Sequence, residues 1–281
     1  MSAVSRVAYL GPPGTFTEDA LHAADPAGEH EPQATATIFD AILAVQRDDA
    51  ERAFVPFENS IEGAVRATLD TLAFEAEGVT IVGEHDYQVR ISLIAREPVG
   101  LEQIERVISH PQASAQCAHF LREQLPEAEI QESSSTAEAV RAVGESERPW
   151  AALGAHASAD LYGCVALRDG VEDSPDNVTR FVWIAPAGTE PLGGGGWKTS
   201  LVFAELGADH PGALVDALLE FSRREVNLTR IESRPRRQGL GSYMFFVDLE
   251  GRDSDPPVAE AIAGLRKAAE SVRVLGSYPT G

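Results

Sequence analysis

The sequence predicts an α/β protein in two parts, a large region of alternating strands and helices followed by a smaller α+β unit. Three observations carry that expectation. Short apolar runs alternate with helical spacing up to residue 186, a Pro/Gly-rich stretch interrupts the chain at Pro186 to Gly196, and a strand-helix-strand-strand-helix-strand order follows. With 281 residues, 43% of them hydrophobic and 24% charged, the chain is long enough for about two well-packed domains.

RVAYL (Arg6 to Leu10) opens the first part as a short buried strand, followed by a Gly-Pro-Pro-Gly turn and a helical pattern. ERAFVPF (Glu51 to Phe57) and GVTIVGEH (Gly78 to His85) read as strands, because β-branched and aromatic residues cluster there between turn formers. The same reasoning marks VRISLIA (Val89 to Ala95), RVISH (Arg106 to His110), WAALG (Trp150 to Gly154) and RFVWIA (Arg180 to Ala185). Alternation of this kind builds layered sheets with ligand-facing loops at strand ends. The two prolines and glycine run of PAGTEPLGGGG (Pro186 to Gly196) cannot sustain a helix or strand, so residues 187–196 read as a linker between residues 1–186 and 197–281. Beyond it come TSLVFAEL (Thr199 to Leu206), the DHPG turn and a helix with Leu214, Leu218 and Phe221 on one face. NLTRIESRP (Asn227 to Pro235), RQGLG, SYMFFVDLE (Ser242 to Glu250), a helix over Val258 to Ser271 and VRVLGSY (Val272 to Tyr278) complete a βαββαβ unit of ferredoxin-like type.

Asp and Glu total 44 against 23 Lys and Arg, a formal net charge of -21. Such a field repels polyanions and argues against nucleic acid or an anionic membrane as partner. Only Lys198 and Lys267 are lysines. A Lys-poor acidic surface suits concentrated salt, where the screening length falls to about 3 Å; GC-rich codon usage yields the same composition, and stability measured against salt separates the two. Cys117 and Cys164 belong to no CxxC or zinc-spaced set, so both read as buried and inert, with no metal site expected. The apolar run Val7 to Leu10 is too short for a signal-peptide core and no stretch approaches ~18 apolar residues, so a cytoplasmic location is expected.

Four polar loops follow expected strands. In GPPGTFTED (Gly11 to Asp19), Thr15 and Glu18 form the T-x-x-E pattern of a capping box whose free N–H groups can receive a carboxylate; the same residues serve equally as a plain helix cap. VPFENSIEG (Val55 to Gly63) exposes Glu58, Asn59 and Ser60 at a strand end, where Asn and Ser are also common N-caps. SHPQASAQC (Ser109 to Cys117) brings His110 and Gln112 to a strand end, His110 being an acid or base near neutral pH or a structural histidine. DNVTRFVWI (Asp176 to Ile184) offers Asn177, the Thr179 hydroxyl and the Arg180 fork, or a turn with a surface arginine. Together the loops describe a cleft rich in neutral donors with one guanidinium and without a strong nucleophile, suited to a small carboxylate.

The ordered set GPPGTFTEDAL, VPFENSIEGAV, SHPQASAQC and NVTRF, followed by GALVDALLEF and NLTRIESRP, resembles the prephenate dehydratases with a C-terminal ACT regulatory domain, over nearly the whole chain. Phe57 departs from the Ile or Leu usual at its position and Ser114 from Leu or Ala, neither change removing a polar group. The resemblance implies a catalytic part of two α/β lobes like a periplasmic binding protein, about 1–77 with 162–186 and 78–161. The chain would cross over near Gly78 and return near Leu161, with the site in the cleft. It implies conversion of prephenate to phenylpyruvate, with loss of carbon dioxide and water and no cofactor, in phenylalanine biosynthesis.

By the same resemblance Thr179 is the catalytic hydroxyl. Arg180, Asn177 and the amides around Thr15 would take carboxylates, Asn59, Ser60, His110 and Gln112 would position the ring, Phe181 would pack beneath it, and Glu58 would orient its neighbours. The C-terminal unit would bind phenylalanine as feedback inhibitor through Gly212, Ala213, Leu214 and Val215, where a helix N-terminus takes an α-carboxylate, and through Asn227, Leu228, Glu232, Ser233, Arg234 and Pro235. A homodimer or homotetramer is implied. Arogenate dehydratase, the same chemistry on the side-chain amine, and a non-catalytic cytosolic amino-acid sensor are the competing readings.

Overall fold

The computed structural model describes residues 5–204, 206, 211–237 and 241–280. Asp209 and His210 of the DHPG turn and residues 238–240 of RQGLG lie outside them. In chain order the first part comprises β1 (Ser5–Leu10), α1 (Phe16–Ala24), β2 (His30–Thr35), α2 (Ile38–Gln46), β3 (Arg52–Asn59), β4 (Gly63–Ala64), α3 (Arg66–Phe74) and β5 (Val79–Gln88). It continues through β6 (Ser92–Ala95), β7 (Arg106–Ser109), α4 (Pro111–Gln116), α5 (Ala118–Gln124), β8 (Glu129–Glu132), α6 (Thr136–Gly144), β9 (Trp150–Gly154), α7 (His156–Leu161), β10 (Val165–Asp169) and β11 (Val178–Pro186). The second part is β12 (Trp197–Ala204), α8 (Ala213–Ser222), β13 (Leu228–Pro235), β14 (Tyr243–Glu250), α9 (Pro256–Ala268) and β15 (Ser271–Pro279).

Two mixed sheets form two α/β lobes. The first has the order β2-β1-β3-β11-β5 with β4 beside β3, and the second β10-β6-β9-β7-β8. The C-terminal sheet, β13-β14-β12-β15, is antiparallel throughout and has the ferredoxin-like order. The α/β plus α+β class expected from the sequence is the class observed. Parallel β1–β2 and β1–β3 pairing requires crossovers, supplied by α1 and α2. Ile38, Ala41, Ile42 and Val45 of α2 are buried against the first sheet, and Thr37 accepts from the Asp40 amide as N-cap.

Two expectations are corrected. The chain does not cross between lobes near Gly78 and Leu161. β5 stays in the first sheet, paired with β11 from Val178↔Gln88 to Pro186↔Val79, while β10 pairs with β6 in the second. The crossings therefore fall after β5, at residues 89–91, and after β10, at residues 170–177. An apolar run announces a strand without naming its partner, and partner choice decides lobe membership. The last helix ends at Ala268, and Ser271 already opens β15.

The C-terminal sheet is buried on both faces. Leu201, Phe203, Val247 and Leu249 pack against Phe221, Ile262 and Leu265 of α8 and α9. On the opposite face Val202, Ala204, Met244, Phe246, Leu275 and Tyr278 share one core with Val79, Ile81, Val182 and Ile184 of the first lobe. The segment between them is tied down too, with the Leu192 N–H donating to the Val82 carbonyl at 2.6 Å. β15 crosses β5 closely at Gly276, where a Cβ would lie 2.2 Å from the Ile81 carbonyl oxygen. Gly276→Ala is therefore expected to lower stability by ~1–3 kcal/mol through overpacking, read as a fall in Tm of several degrees; an unchanged Tm would show that the contact is slack.

Candidate active site

A cavity of about 450 Å³ opens between the two lobes. Seven of the expected residues line it: Thr15, Asn59, His110, Gln112, Asn177, Thr179 and Phe181. A larger hollow of about 540 Å³, lined by Arg96, Arg148 and Trp150 among others, lies at the opposite end of the second sheet, away from these loops. Phe181 forms the apolar floor, stacked on Phe54 with ring centroids 5.0 Å apart and edge-on to Tyr87.

Thr179 is set by strand register. It stands directly opposite Asn59 in the antiparallel β3–β11 pair, and both side chains point into the cleft. The Asn59 carbonyl oxygen accepts from the amides of Ile61 and Glu62, at 2.9 and 3.0 Å. This fixes its NH₂ group to donate to Asn177 Oδ1 at 2.7 Å and to Thr179 Oγ1 at 2.9 Å. Because the Thr179 oxygen accepts, its own O–H is left to donate. Among the described residues it meets no acceptor, and at 8% exposure it is accessible only from the cavity. Asn177 continues the chain, its NH₂ donating to Gln116 Oε1 at 3.0 Å on the second lobe.

Three nine-residue helices begin at the cavity wall. Thr15 to Thr17 of α1, Ala36 and Ile38 of α2, and Ser135 and Thr136 of α6 all line it. α1 carries no side-chain cap, so its first-turn amides face the cavity without one. N-terminal turns carry partial positive charge and attract anions. Among the described residues lining the cavity none is Lys or Arg. Its donors are hydroxyls, carboxamides, backbone amides and the imidazole of His110, whose Nδ1 accepts from the Gln112 amide at 3.3 Å and so presents Nε2–H as donor. Gln116, Thr17 and Ser134 to Thr136 join the site without having been singled out in the sequence. The Ser-Ser-Ser-Thr run before a helical pattern was the available signal.

Three expected roles are corrected. Arg180 follows Thr179 in a strand, so it points to the opposite face. There it pairs with Asp248 of β14 at 2.6 Å, Glu58 at 3.2 Å and Glu84 at 3.4 Å, and cannot serve as the carboxylate fork. Burial, the largest single influence, pulls its pKa down, and its partners together, Asp248 foremost with Tyr278 and Glu84, more than reverse this and leave the pKa raised. Ser60 likewise leaves the cleft: its hydroxyl donates to the Asp176 carbonyl and accepts from the Val178 amide, and it lines a separate depression beside Arg180 and Arg230. The capping box does not form either. Thr15 donates to the Leu10 carbonyl, while Glu18 accepts from Gly14 N–H and Tyr9 O–H, both at 2.6 Å, and so clamps the turn.

In the C-terminal unit Gly212 precedes α8 at φ 98, and Ala213, Leu214 and Val215 form its first turn. Asn227 stands before β13, and Leu228, Glu232, Ser233, Arg234 and Pro235 lie along that edge strand. Arg234 is corrected as an effector contact, since it turns back to the first lobe and makes a bidentate pair with Asp70 at 2.7 and 2.8 Å.

Two outcomes follow from this geometry. Asn59→Ala is expected to lower kcat by roughly 10- to 100-fold, the rate equivalent of ~1–3 kcal/mol for a lost buried partner; full activity would show that Thr179 needs no orienting amide. Burial, with the neighbouring Glu18 charge, pushes Asp19 up to about 6 from 3.8, against His22 and His156. The folded state thus holds a proton that the unfolded chain releases. The stability Asp19 contributes is complete below its unfolded pKa and is lost as pH rises through about 6. Asp19→Asn should therefore raise Tm more at pH 7.5 than at pH 5, and an equal change at both would contradict the assignment.

The family model described as prephenate dehydratase matches residues 7–189, and that of the ACT domain residues 201–267. The chain is 41% identical to a prephenate dehydratase of Mycolicibacterium vanbaalenii, over 98% of this chain and 91% of the relative, and 42% identical to that of Amycolatopsis methanolica, over 98% and 88%. It is similar to the crystal structure of a prephenate dehydratase from Arthrobacter aurescens in complex with L-Phe, with TM-score 0.89 and 40% identity over 98% of this chain and 90% of that one. A structure described as a quorum quenching acylase, GqqA, gives TM-score 0.86 and 33% identity over 98% of each chain. On this match over nearly its full length, the chain belongs to the prephenate dehydratase family and carries a C-terminal ACT domain.

Proposed function

We propose that the cleft binds prephenate and converts it to phenylpyruvate, carbon dioxide and water, with Thr179 as the catalytic hydroxyl. The observation that carries this reading is the Thr179 oxygen accepting from Asn59, which leaves its O–H as a donor at a cavity lined by neutral groups. The ring carboxylate leaves as carbon dioxide. Its bonding pair moves through the diene to aromatise the ring and expels the C4 hydroxyl, which takes one proton from solvent and departs as water. Thr179 is a feeble acid, and its part is to donate a hydrogen bond where negative charge develops on that oxygen. Amides at the start of α1 and α6, with Asn177, Gln112 and His110, hold the two carboxylates and the ring, and Phe181 supports it from below. Neutral donors bind a carboxylate without the deep stabilisation that a guanidinium gives, so less binding energy is committed to the ground state that must lose carbon dioxide.

The neighbour of Thr179 Oγ1 is a donating amide rather than a base, which disfavours use of Thr179 as an acyl-transfer nucleophile. We further read L-phenylalanine as the effector, bound at Gly212 to Val215 and along β13 from Asn227 to Pro235, with Arg234 committed to Asp70 in this conformation. The exposed apolar side chains of Val215, Ile231 and Tyr243 on the ACT unit support a homodimer or homotetramer as the working form. A cytoplasmic location fits a chain in which, among the described residues, no helix is long and apolar enough to cross a membrane.

Incubation with prephenate should yield phenylpyruvate, and the same assay with arogenate sets substrate preference. Thr179→Val, folded and of native Tm, is expected to lose ~10²- to 10⁴-fold in kcat; retained turnover would overturn the assignment.

A further inference from the structure

The face of β11 opposite the cleft carries a charged cluster that the reaction itself does not use. Arg180 sits at its centre, 10% exposed, with its guanidinium 4.7 Å over the Phe57 ring. Arg230 of β13 lies 5.1 Å from the same ring and pairs with Glu58 at 3.3 Å. Lys198 of β12 holds both oxygens of Glu84 at 2.7 Å. Asp248, 1% exposed, accepts from Ser200 Oγ at 2.6 Å through its second oxygen, and Ser200 is bonded in turn to the buried Tyr278 hydroxyl at 2.7 Å. Every strand of the ACT sheet thus places a side chain in a network that reaches Arg180.

That network bears directly on the cleft. Thr179↔Asn59 and Arg180↔Glu58 are consecutive cross-strand pairs of β3 and β11, and the register slips by a bulge immediately afterwards, between Arg180 and Phe181. The residue left outside the ladder is Phe57 of β3, on whose ring the Arg180 and Arg230 guanidiniums lie, so side-chain contacts there bear on how β3 and β11 sit against each other. We propose that Arg180 is a positioning residue, and that the ACT sheet, through Asp248, holds β11 where the Thr179 hydroxyl meets the Asn59 amide. The ion pair is a rigid tie from the regulatory sheet to the residue next to the reacting group. Any effector that favours a different seating of the sheet acts first on Arg180. This rests on Thr179 being the catalytic hydroxyl.

The test uses the full chain and steady-state turnover of prephenate. Asp248→Asn keeps the shape and removes the charge; kcat is expected to fall ~10-fold or more with KM within ~2-fold. Arg180→Lys should retain more kcat than Arg180→Met. Asp70→Asn breaks a separate contact between lobe and ACT unit, the ion pairs of Asp70 with Arg234 and Arg237, without touching β11, and should leave kcat within ~2-fold. If Asp248→Asn does not fold, Ser200→Ala, which frees the second Asp248 oxygen and the Tyr278 hydroxyl while keeping the Asp248 charge, should still lower kcat ~3-fold. Unchanged kcat in Asp248→Asn or in a folded Ser200→Ala overturns the proposal, as does an equal loss in Asp70→Asn. Thr179→Val assayed alongside separates the layers: if it is inactive while Asp248→Asn is fully active, only the positioning role fails; if it is active, the catalytic reading beneath it fails as well.

Discussion

The pairing of β11 with β3 is the constraint on which the site depends. Side chains of a strand alternate between faces, so one register sends Thr179 and Asn59 into the cleft and Arg180 and Glu58 toward the ACT sheet. A slip of one residue would exchange them, burying a guanidinium against Phe54 and Phe181 and turning the hydroxyl away. Both faces resist that slip. Phe54, Phe181 and Trp183 form an aromatic cluster on one side, and on the other Arg180 is compensated by Asp248, a buried pair whose disruption costs roughly 3–5 kcal/mol.

A cleft with no Lys or Arg among its described lining residues is unusual for a dianion, and the fold supplies the alternative. Strand ends feed helices whose first turns open on the cavity, so the attraction comes from oriented amides on rigid elements. Carboxamides and hydroxyls complete the set, and several groups of the lining are held by partners. Asn59 is fixed by two backbone amides, Asn177 by Asn59 and Gln116, and His110 by the Gln112 amide. Since Asn59 sits on the first lobe and Gln116 on the second, with Asn177 bonded to both at the end of the crossing, the same network ties the two walls together. Donors fixed in advance need no reorganisation as charge moves from the departing carboxylate to the departing hydroxyl.

Much of this was legible in the residues. Each apolar run marked as a strand became one, and four polar loops at strand ends did gather at one cavity. The strands left unmarked, β2 (HEPQAT), the two-residue β4 (GA), β8 (EIQE) and β10 (VALRD), lack an apolar alternation; the four residues of β8 are all exposed, so burial left no imprint. Lobe membership of β5 and β10 depended on pairing between segments far apart in the chain. The misplacement of Arg180 had an available remedy: it adjoins Thr179, which faces the cleft, and the period of a strand forbids both neighbours from doing so; Ser60 lies in the turn just past β3, where no such period holds. Ordered motifs identified the family, but only register assigned each side chain to a face.

The most direct test of the central claim is the dependence of KM for prephenate on salt. In a protein of net charge -21 whose cleft presents only neutral donors, added potassium chloride screens the repulsion of a dianion, so KM should stay level or fall between about 0.05 and 1 M. A KM that climbs steeply over that range would mean that a cationic side chain grips the substrate after all, and would contradict the placement of Arg180 on the far face of β11.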